Sequence, residues 1–235
     1  LTADYAFGYS LEEQTGAFVK ANGGTVVGAV RHPLATNDFS SFLLQAQSSG
    51  AKVIGLANAG LDTANAIKQA AEFGIVQSGQ QLAGLLFTLA EVHGLGLEAA
   101  QGANLTEGWY WDQSDENRAF AEKFMARTQR MPNMVQAGTY SAVTQYLKAV
   151  DAAKSDATKA VSAKLHEMPV EDVFAKKGVV QANGRMVYDM YLFNVKAPSA
   201  STKPWDYYTQ VAVVPGAEAY FTVEQSGCDV ASFPK

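Results

Sequence analysis

Cysteine is nearly absent: Cys228 is the only one in 235 residues. That excludes an internal disulfide and any cysteine-built metal cluster, and leaves Cys228 as a small residue expected to pack near the C-terminus. Histidine is almost as scarce, and His32, His93 and His166 stand far apart in no ligand spacing such as H-E-x-x-H. Each is expected on the surface or in a loop, and no metal site is expected. Charged residues make up only 17% of the chain, with 18 basic against 23 acidic side chains and a net charge of −5. No Lys/Arg stripe exists that a phosphate backbone would require, so nucleic acid is not an expected partner. Apolar runs are short and interrupted, whereas a bilayer-spanning helix needs about 20 apolar residues in succession. A basic segment followed by an apolar one, the mark of an export leader, is also missing from these residues, as it would be in a processed or truncated chain.

The motifs of common enzyme chemistries are missing too. There is no G-x-S-x-G nucleophile elbow and no Walker A loop, and the glycines of His93-Gly94-Leu95-Gly96 are not followed by the third that a dinucleotide fingerprint needs. The acidic stretch Asp112-Gln113-Ser114-Asp115-Glu116 suits the positive end of a helix dipole and needs no catalytic role. No cofactor is expected, and the inventory offers no nucleophile–base pair.

Hydrophobic residues are plentiful, at 48%, and their arrangement is informative. Thr25-Val26-Val27-Gly28-Ala29-Val30 predicts a strand, followed by an Asn37-Asp38 cap and a helix carrying Phe39, Phe42, Leu43 and Ala46 that stops at Ser49-Gly50. Val53-Ile54-Gly55-Leu56-Ala57 predicts the next strand. Asp62-Thr63 then caps a helix through Ala66, Ile67, Ala70 and Phe73, ended by Gly74, and a third unit opens with Leu82 to Phe87. Alternation of this kind marks a parallel sheet with crossover helices. Ahead of it, Ser10-Leu11-Glu12-Glu13 has the form of a capping box for a helix ending near Ala21, so Leu1 to Phe7 are expected to be the end of a βα loop whose strand is missing. Beyond Gly108 the pattern changes to successive helices, from Asn117 to about Arg127, Val135 to about Ala153 and Thr158 to about Met168. The second carries an apolar face through Tyr140, Val143, Tyr146, Leu147 and Val150. Gly178 to Gln181 and Arg185 to Val195 predict a hairpin about Ala182-Asn183-Gly184, and Tyr207 to Val214 a last strand.

Open α/β sheets bind ligands outside the carboxyl edge of their strands. Tyr5 and Phe7 fall in the first such loop, Asn58 after the second complete strand, and Phe87 and Thr88 after the third; Trp109, Tyr110 and Trp111 lie where the pattern changes. The candidate ligand-binding set is therefore Tyr5, Phe7, Asn58, Phe87, Thr88 and Tyr110, to which a family resemblance adds Ala59.

Asp4-Tyr5-Ala6-Phe7-Gly8, Asn37-Asp38-Phe39-Ser40, Lys68-Gln69-Ala70 with Phe73-Gly74, Gly108 to Asp112, Tyr140-Ser141-Ala142-Val143 and Asp189 with the following strand come in an order and spacing that resembles type I periplasmic solute-binding proteins of ABC importers, the leucine/isoleucine/valine-binding family. Arg31-His32-Pro33-Leu34, Tyr110-Trp111-Asp112, Asp189-Met190-Tyr191-Leu192 and Trp205-Asp206-Tyr207-Tyr208 are similar to a proteobacterial branch of that family. The resemblance implies an α/β fold of two Rossmann-like lobes joined by three crossovers, with residues 1–110 and 189–235 in the second lobe, 111–188 returning to the first, and the opening of the first lobe absent. Trp109 to Asp112 and Met186 to Asp189 are the implied crossovers. It implies a monomeric periplasmic receptor, not an enzyme, that closes on a small solute and hands it to an inner-membrane permease; an effector-sensing domain of the same fold is the alternative. Amino-acid binders of the family have tyrosines at the positions matched by Phe7 and about Ala59 and a glutamate near Leu86 or Phe87. Loss of these handles implies an aromatic or aliphatic carboxylate, or another apolar solute, with Glu91 as a replacement acid if the solute is an amino acid.

Overall fold

A computed structural model describes residues 1–230. The chain divides into two compact units. Unit 1 comprises Leu1–Thr106 and Leu192–Val211, and unit 2 comprises Glu107–Tyr191 and, of the described residues, 212–230. It therefore passes between units at three places. The family resemblance assigns all of residues 189–235 to one lobe; in the structure, the chain from Ala212 groups with unit 2.

Unit 1 is an α/β layer built as the alternating pattern predicts. In chain order it holds β1 (Thr2–Ala3), α1 (Ala6–Ala21), β2 (Arg31–His32), α2 (Ser40–Ser48), β3 (Val53–Leu56), α3 (Leu61–Glu72), β4 (Gln81–Gly84), α4 (Leu89–Leu95), α5 (Leu97–Ala100) and β5 (Asn104–Glu107), whose last residue opens unit 2. β3, β4 and β5 are parallel neighbours, with Leu56 opposite Gly84 and Gly84 opposite Leu105. Two later strands, β8 (Met190–Val195) and β9 (Tyr208–Val214), complete the sheet order β3-β4-β5-β8-β9. On the other side, β1 joins through a parallel bridge from Thr2 to Ala57 and pairs with β2. The core is aliphatic, with Ile54, Leu56, Ile67, Leu82, Leu89 and Leu105 among its buried side chains.

Two local expectations are corrected here. Residues 25–30 form no strand, and the ladder is confined to Thr2–Ala3 with Arg31–His32. A strand exists only where a neighbour completes its ladder, and Val26 and Val27 are exposed instead. α1 begins a full turn before Ser10, with Tyr5 as its N-cap, so the apparent capping box lies inside the helix, where Ser10 accepts from Gln14 at 2.7 Å. Gly8 permits that early start: a Cβ there would lie 2.1 Å from the Ala3 carbonyl oxygen.

Unit 2 opens on the helical run. α6 (Asp115–Thr128), α7 (Met134–Ala153) and α8 (Thr158–Glu167) match the expected helices to within about a turn. Ser114 caps α6 by accepting from the Asn117 amide, and Asn133 with Gln136 forms a capping box on α7. The expected hairpin follows as β6 (Val179–Val180) against β7 (Met186–Val187), with Gly184 at φ +79° in its turn. The single strand expected from Arg185 to Val195 is broken at Tyr188-Asp189, so β7 and β8 belong to different sheets. A short helix, α9 (Gly216–Ala219), returns the chain to unit 2. There Gly216 donates its N–H to Asp189 at 2.9 Å, and a Cβ on Gly216 would meet the Tyr188 carbonyl oxygen at the same distance. Cys228 is exposed, not packed; the chain turn around it leaves the side chain outside any core.

Candidate functional site

Parallel strands place their following loops on one edge, and here three such loops are neighbours. The backbone ties them directly: the Ala57 N–H donates to the Leu1 carbonyl at 2.8 Å, the Ala3 N–H to the Ala57 carbonyl at 3.0 Å, and the Leu85 N–H to the Leu56 carbonyl at 3.2 Å. Tyr5 and Phe7 after β1, Asn58 and Ala59 after β3, and Phe87 and Thr88 after β4 therefore belong to one rim of unit 1. Tyr110 belongs to unit 2, where it is buried beside Trp111 with ring centroids 5.9 Å apart. Its carbonyl accepts from Asn117 at 2.9 Å.

These rim residues divide into two groups. Tyr5, Phe7 and Ala59 are partly exposed, and the Tyr5 and Phe7 rings sit 5.9 Å apart. Asn58, Phe87 and Thr88 face inward. Phe87 is fully buried and folds back on Gly84, where a Cβ would lie 2.5 Å from its own Cβ. It supports the loop from behind. Thr88 caps α4 reciprocally with Glu91, whose Oε2 accepts from the Thr88 amide at 2.9 Å and the Thr88 hydroxyl at 2.5 Å. Glu91, the acid available to an amino-acid ligand in the sequence pattern, is thus engaged in a helix cap.

Asn58 lies in a network that the sequence did not announce. His32 is completely buried, contrary to its expected surface position. Its Nδ1 lies 2.9 Å from the Pro33 carbonyl and its Nε2 3.0 Å from Asn58 Nδ2, while Asn58 Oδ1 accepts from the Thr63 hydroxyl at 2.7 Å. With the Asn58 amide nitrogen donating to Nε2, the Pro33 carbonyl accepts from Nδ1–H. Phe39 packs edge-on to that ring at 4.8 Å. The network links β2 and the loop after β3 to the first turn of α3 and fixes the path of Ala59 and Gly60. Gly60, at φ +60°, is the N-cap of α3. No residue spacing signals this arrangement, because His32 and Asn58 are 26 positions apart.

The rim also has an electrostatic character. Tyr5 gives α1 no side-chain cap and its first turn holds no acidic residue, so the N-terminus of α1 presents backbone N–H groups and the positive end of its dipole, whereas α3 carries the buried Asp62 in its first turn. Farther along α1, Tyr9 hydrogen-bonds Asp4, which pushes the Tyr9 phenol above its ordinary range. The Arg31 guanidinium stacks over the Tyr9 ring at 4.4 Å. Among the described residues, no group of three or more His, Cys, Asp or Glu side chains is placed to hold a metal ion.

An open α/β unit with its ligand-competent loops on one edge, linked to a second unit by three passages of the chain, defines the class of two-unit binding proteins. A family profile described as periplasmic binding protein matches residues 1–202. The chain belongs to the type I periplasmic binding protein family. It is 52% identical to a periplasmic binding protein of Burkholderia mallei whose structure superposes with a TM-score of 0.91, covering 97% of this chain and 60% of that one. A branched chain amino acid ABC transporter periplasmic ligand-binding protein of Burkholderia xenovorans is 38% identical, with a TM-score of 0.90 over 97% of this chain and 61% of its own. A Leu/Ile/Val-binding protein homolog of Brucella melitensis is 34% identical over 172 residues, 69% of this chain and 44% of that protein. The chain thus spans about half to three-fifths of the length of these relatives. The family is one of binding proteins that serve ABC transporters, consistent with the expectation of a non-enzyme.

Proposed function

We propose that this chain is the larger part of a periplasmic receptor that captures a small carboxylate, aromatic or aliphatic, or an amino-acid-like compound, and delivers it as a monomer to an inner-membrane ABC permease. The observation that carries this reading is the rim of unit 1, where the uncapped N-terminus of α1 stands beside the partly exposed Tyr5–Phe7 pair. A carboxylate suits the backbone N–H groups, as anions do at helix N-termini. The rings of Tyr5 and Phe7 suit the apolar body of the solute, and Ala59 leaves room for it. Buried Phe87 and Asn58 hold the loops in place from behind. Phe7 and Ala59 carry no hydroxyl and Glu91 is occupied by Thr88, so an ammonium group would lack a partner at these positions, at a cost of a few kcal/mol for a buried unpaired polar group.

The test is a thermal-shift series with benzoate, 4-methylpentanoate, leucine and valine on the whole receptor and on the 235-residue chain. Stabilisation of the whole receptor by the carboxylates, by about 3 kcal/mol at a hundredfold excess over Kd, is the expected outcome, with weak or no stabilisation of the 235-residue chain. Stabilisation by leucine and valine alone would reject the apolar carboxylate, and nanomolar binding by the 235-residue chain would reject the need for the remainder of the receptor.

A further inference from the structure

The three rim loops that carry Tyr5 and Phe7, Asn58 and Ala59, and Phe87 and Thr88, together with the first turns of the helices they lead into, hold three acids and no base. Two of the acids are closed to a solute. Glu91 accepts from the Thr88 amide and hydroxyl, and Asp62 is buried in the first turn of α3, with Oδ2 on the Ala35 amide at 3.3 Å. Asp4 is the third. It directly follows β1, is exposed, and precedes Tyr5 and Phe7, the rings assigned to the apolar body of the solute. Its amide is fixed to the His32 carbonyl at 2.9 Å, so only its side chain is free to choose a partner. Asp4 is thus the one acid of the rim that a solute ammonium could recruit.

Tyr9 holds that carboxylate. One turn into α1, the Tyr9 amide bonds the Tyr5 carbonyl at 3.0 Å and its hydroxyl donates to Asp4 Oδ1. The bond to Asp4 pushes the phenol above its ordinary range, so it stays a donor. The ring is itself held between α1 and β2: the Arg31 guanidinium lies 4.4 Å from its centroid and 3.8 Å from Glu12. A hydrogen bond to an ionised acceptor is stronger than one between neutral groups. A solute ammonium can therefore take Asp4 only by displacing the phenol, whereas a solute without an amine leaves the pair intact. We propose that Tyr9 is a positioning residue for solute selection: by keeping the Asp4 carboxylate on its hydroxyl, it denies the rim its last ammonium partner and favours carboxylates that lack an amine. This rests on the rim of unit 1 being the solute site, and it names what decides between the two solute classes proposed for that site.

4-Methylpentanoate and leucine share an apolar body and a carboxylate and differ only in the α-ammonium. The ratio of their Kd values is measured by isothermal titration calorimetry on the whole receptor, for the wild type, Tyr9→Phe, Asp4→Asn and the double variant. Tyr9→Phe is expected to move the ratio toward leucine by about tenfold or more, the worth of one hydrogen bond to a charged group. Adding Asp4→Asn is expected to bring it back toward the wild-type value. An unchanged ratio in Tyr9→Phe overturns the proposal, and so does a shift that survives in the double variant, since such a shift does not pass through Asp4. Nuclear magnetic resonance of ring-labelled tyrosine supplies a reading with no solute present. Asp4→Asn is expected to lower the Tyr9 titration toward the ordinary phenol value of about 10; an unmoved titration means that the pair does not form and also overturns the proposal. Failure of the solute assignment is distinguishable: a wild-type preference for leucine rejects the amine-free carboxylate, while the change of ratio between variants still decides the role of Tyr9. Binding of neither compound by any variant overturns both.

Discussion

Asn58 sits between two partners that have no other use for their hydrogen-bonding atoms. Asn58→Ala removes the donor to His32 Nε2 and the acceptor for Thr63 at once, inside a site with no solvent access. Loss of about 1 to 3 kcal/mol in urea denaturation is expected, and an unchanged midpoint would show that the network bears no load. Asp206 offers a pH-dependent counterpart. Burial alone pushes its carboxyl up, but the Lys196 ammonium and the Thr202 amide and hydroxyl outweigh burial and hold it below the ordinary carboxylate range. A group depressed in the folded state contributes stability above its unfolded value of about 3.9, and loses it as pH falls through the folded value. Asp206→Asn should therefore flatten the acid limb of a stability–pH curve below about pH 4; an identical acid limb would count against the ion pair. These residues also mark the limit of legibility. Phe7 could be placed on the rim from strand order and Ala59 from the family resemblance, whereas the inward turn of Phe87 depends on the room left by Gly84, and the burial of His32 on a partner 26 residues away.

At the level of elements, the join between β7 and β8 controls how the chain enters and leaves unit 2. Tyr188 packs between Phe174 and Tyr220, with ring centroids at 4.9 and 5.5 Å. Its ring also fills the place of a side chain at Gly108, where a Cβ would come within 2.6 Å. Gly108→Ala is expected to cost about 1 to 3 kcal/mol through overpacking, and combining it with Tyr188→Leu should recover part of that loss. Strict additivity in the double-mutant cycle would mean the two residues are not in contact. The parallel layer was readable because βα alternation is a local signal with period 2 giving way to 3.6. The break at Tyr188-Asp189 was not, since both halves are β-type text and the interruption comes from Asp189 turning to Gly216. The apolar face of α7 was also visible in the sequence; that Tyr140, Val143, Tyr146 and Leu147 stand exposed was not, since periodicity gives a face and not its direction.

For the whole molecule, two units with separate cores predict separate melting. Trp109 and Trp111 lie in unit 2 and Trp205 in unit 1, so the Trp205→Phe variant reports unit 2 alone by fluorescence, while circular dichroism reports both. Non-coincident denaturation midpoints are expected; one coincident transition would show that the three passages couple the units fully. Those passages have a further consequence for how the protein can be encoded. β5 and β8 are neighbours in the sheet, and Gly102 and Ala103 exchange backbone hydrogen bonds with Val195. In gene order, residues 107–191 are thus a long insertion at the tip of a two-strand hairpin. Excising them, joining Thr106 to Leu192 through a tight turn, and stopping at Val211 would write unit 1 as an ordinary continuous reading frame.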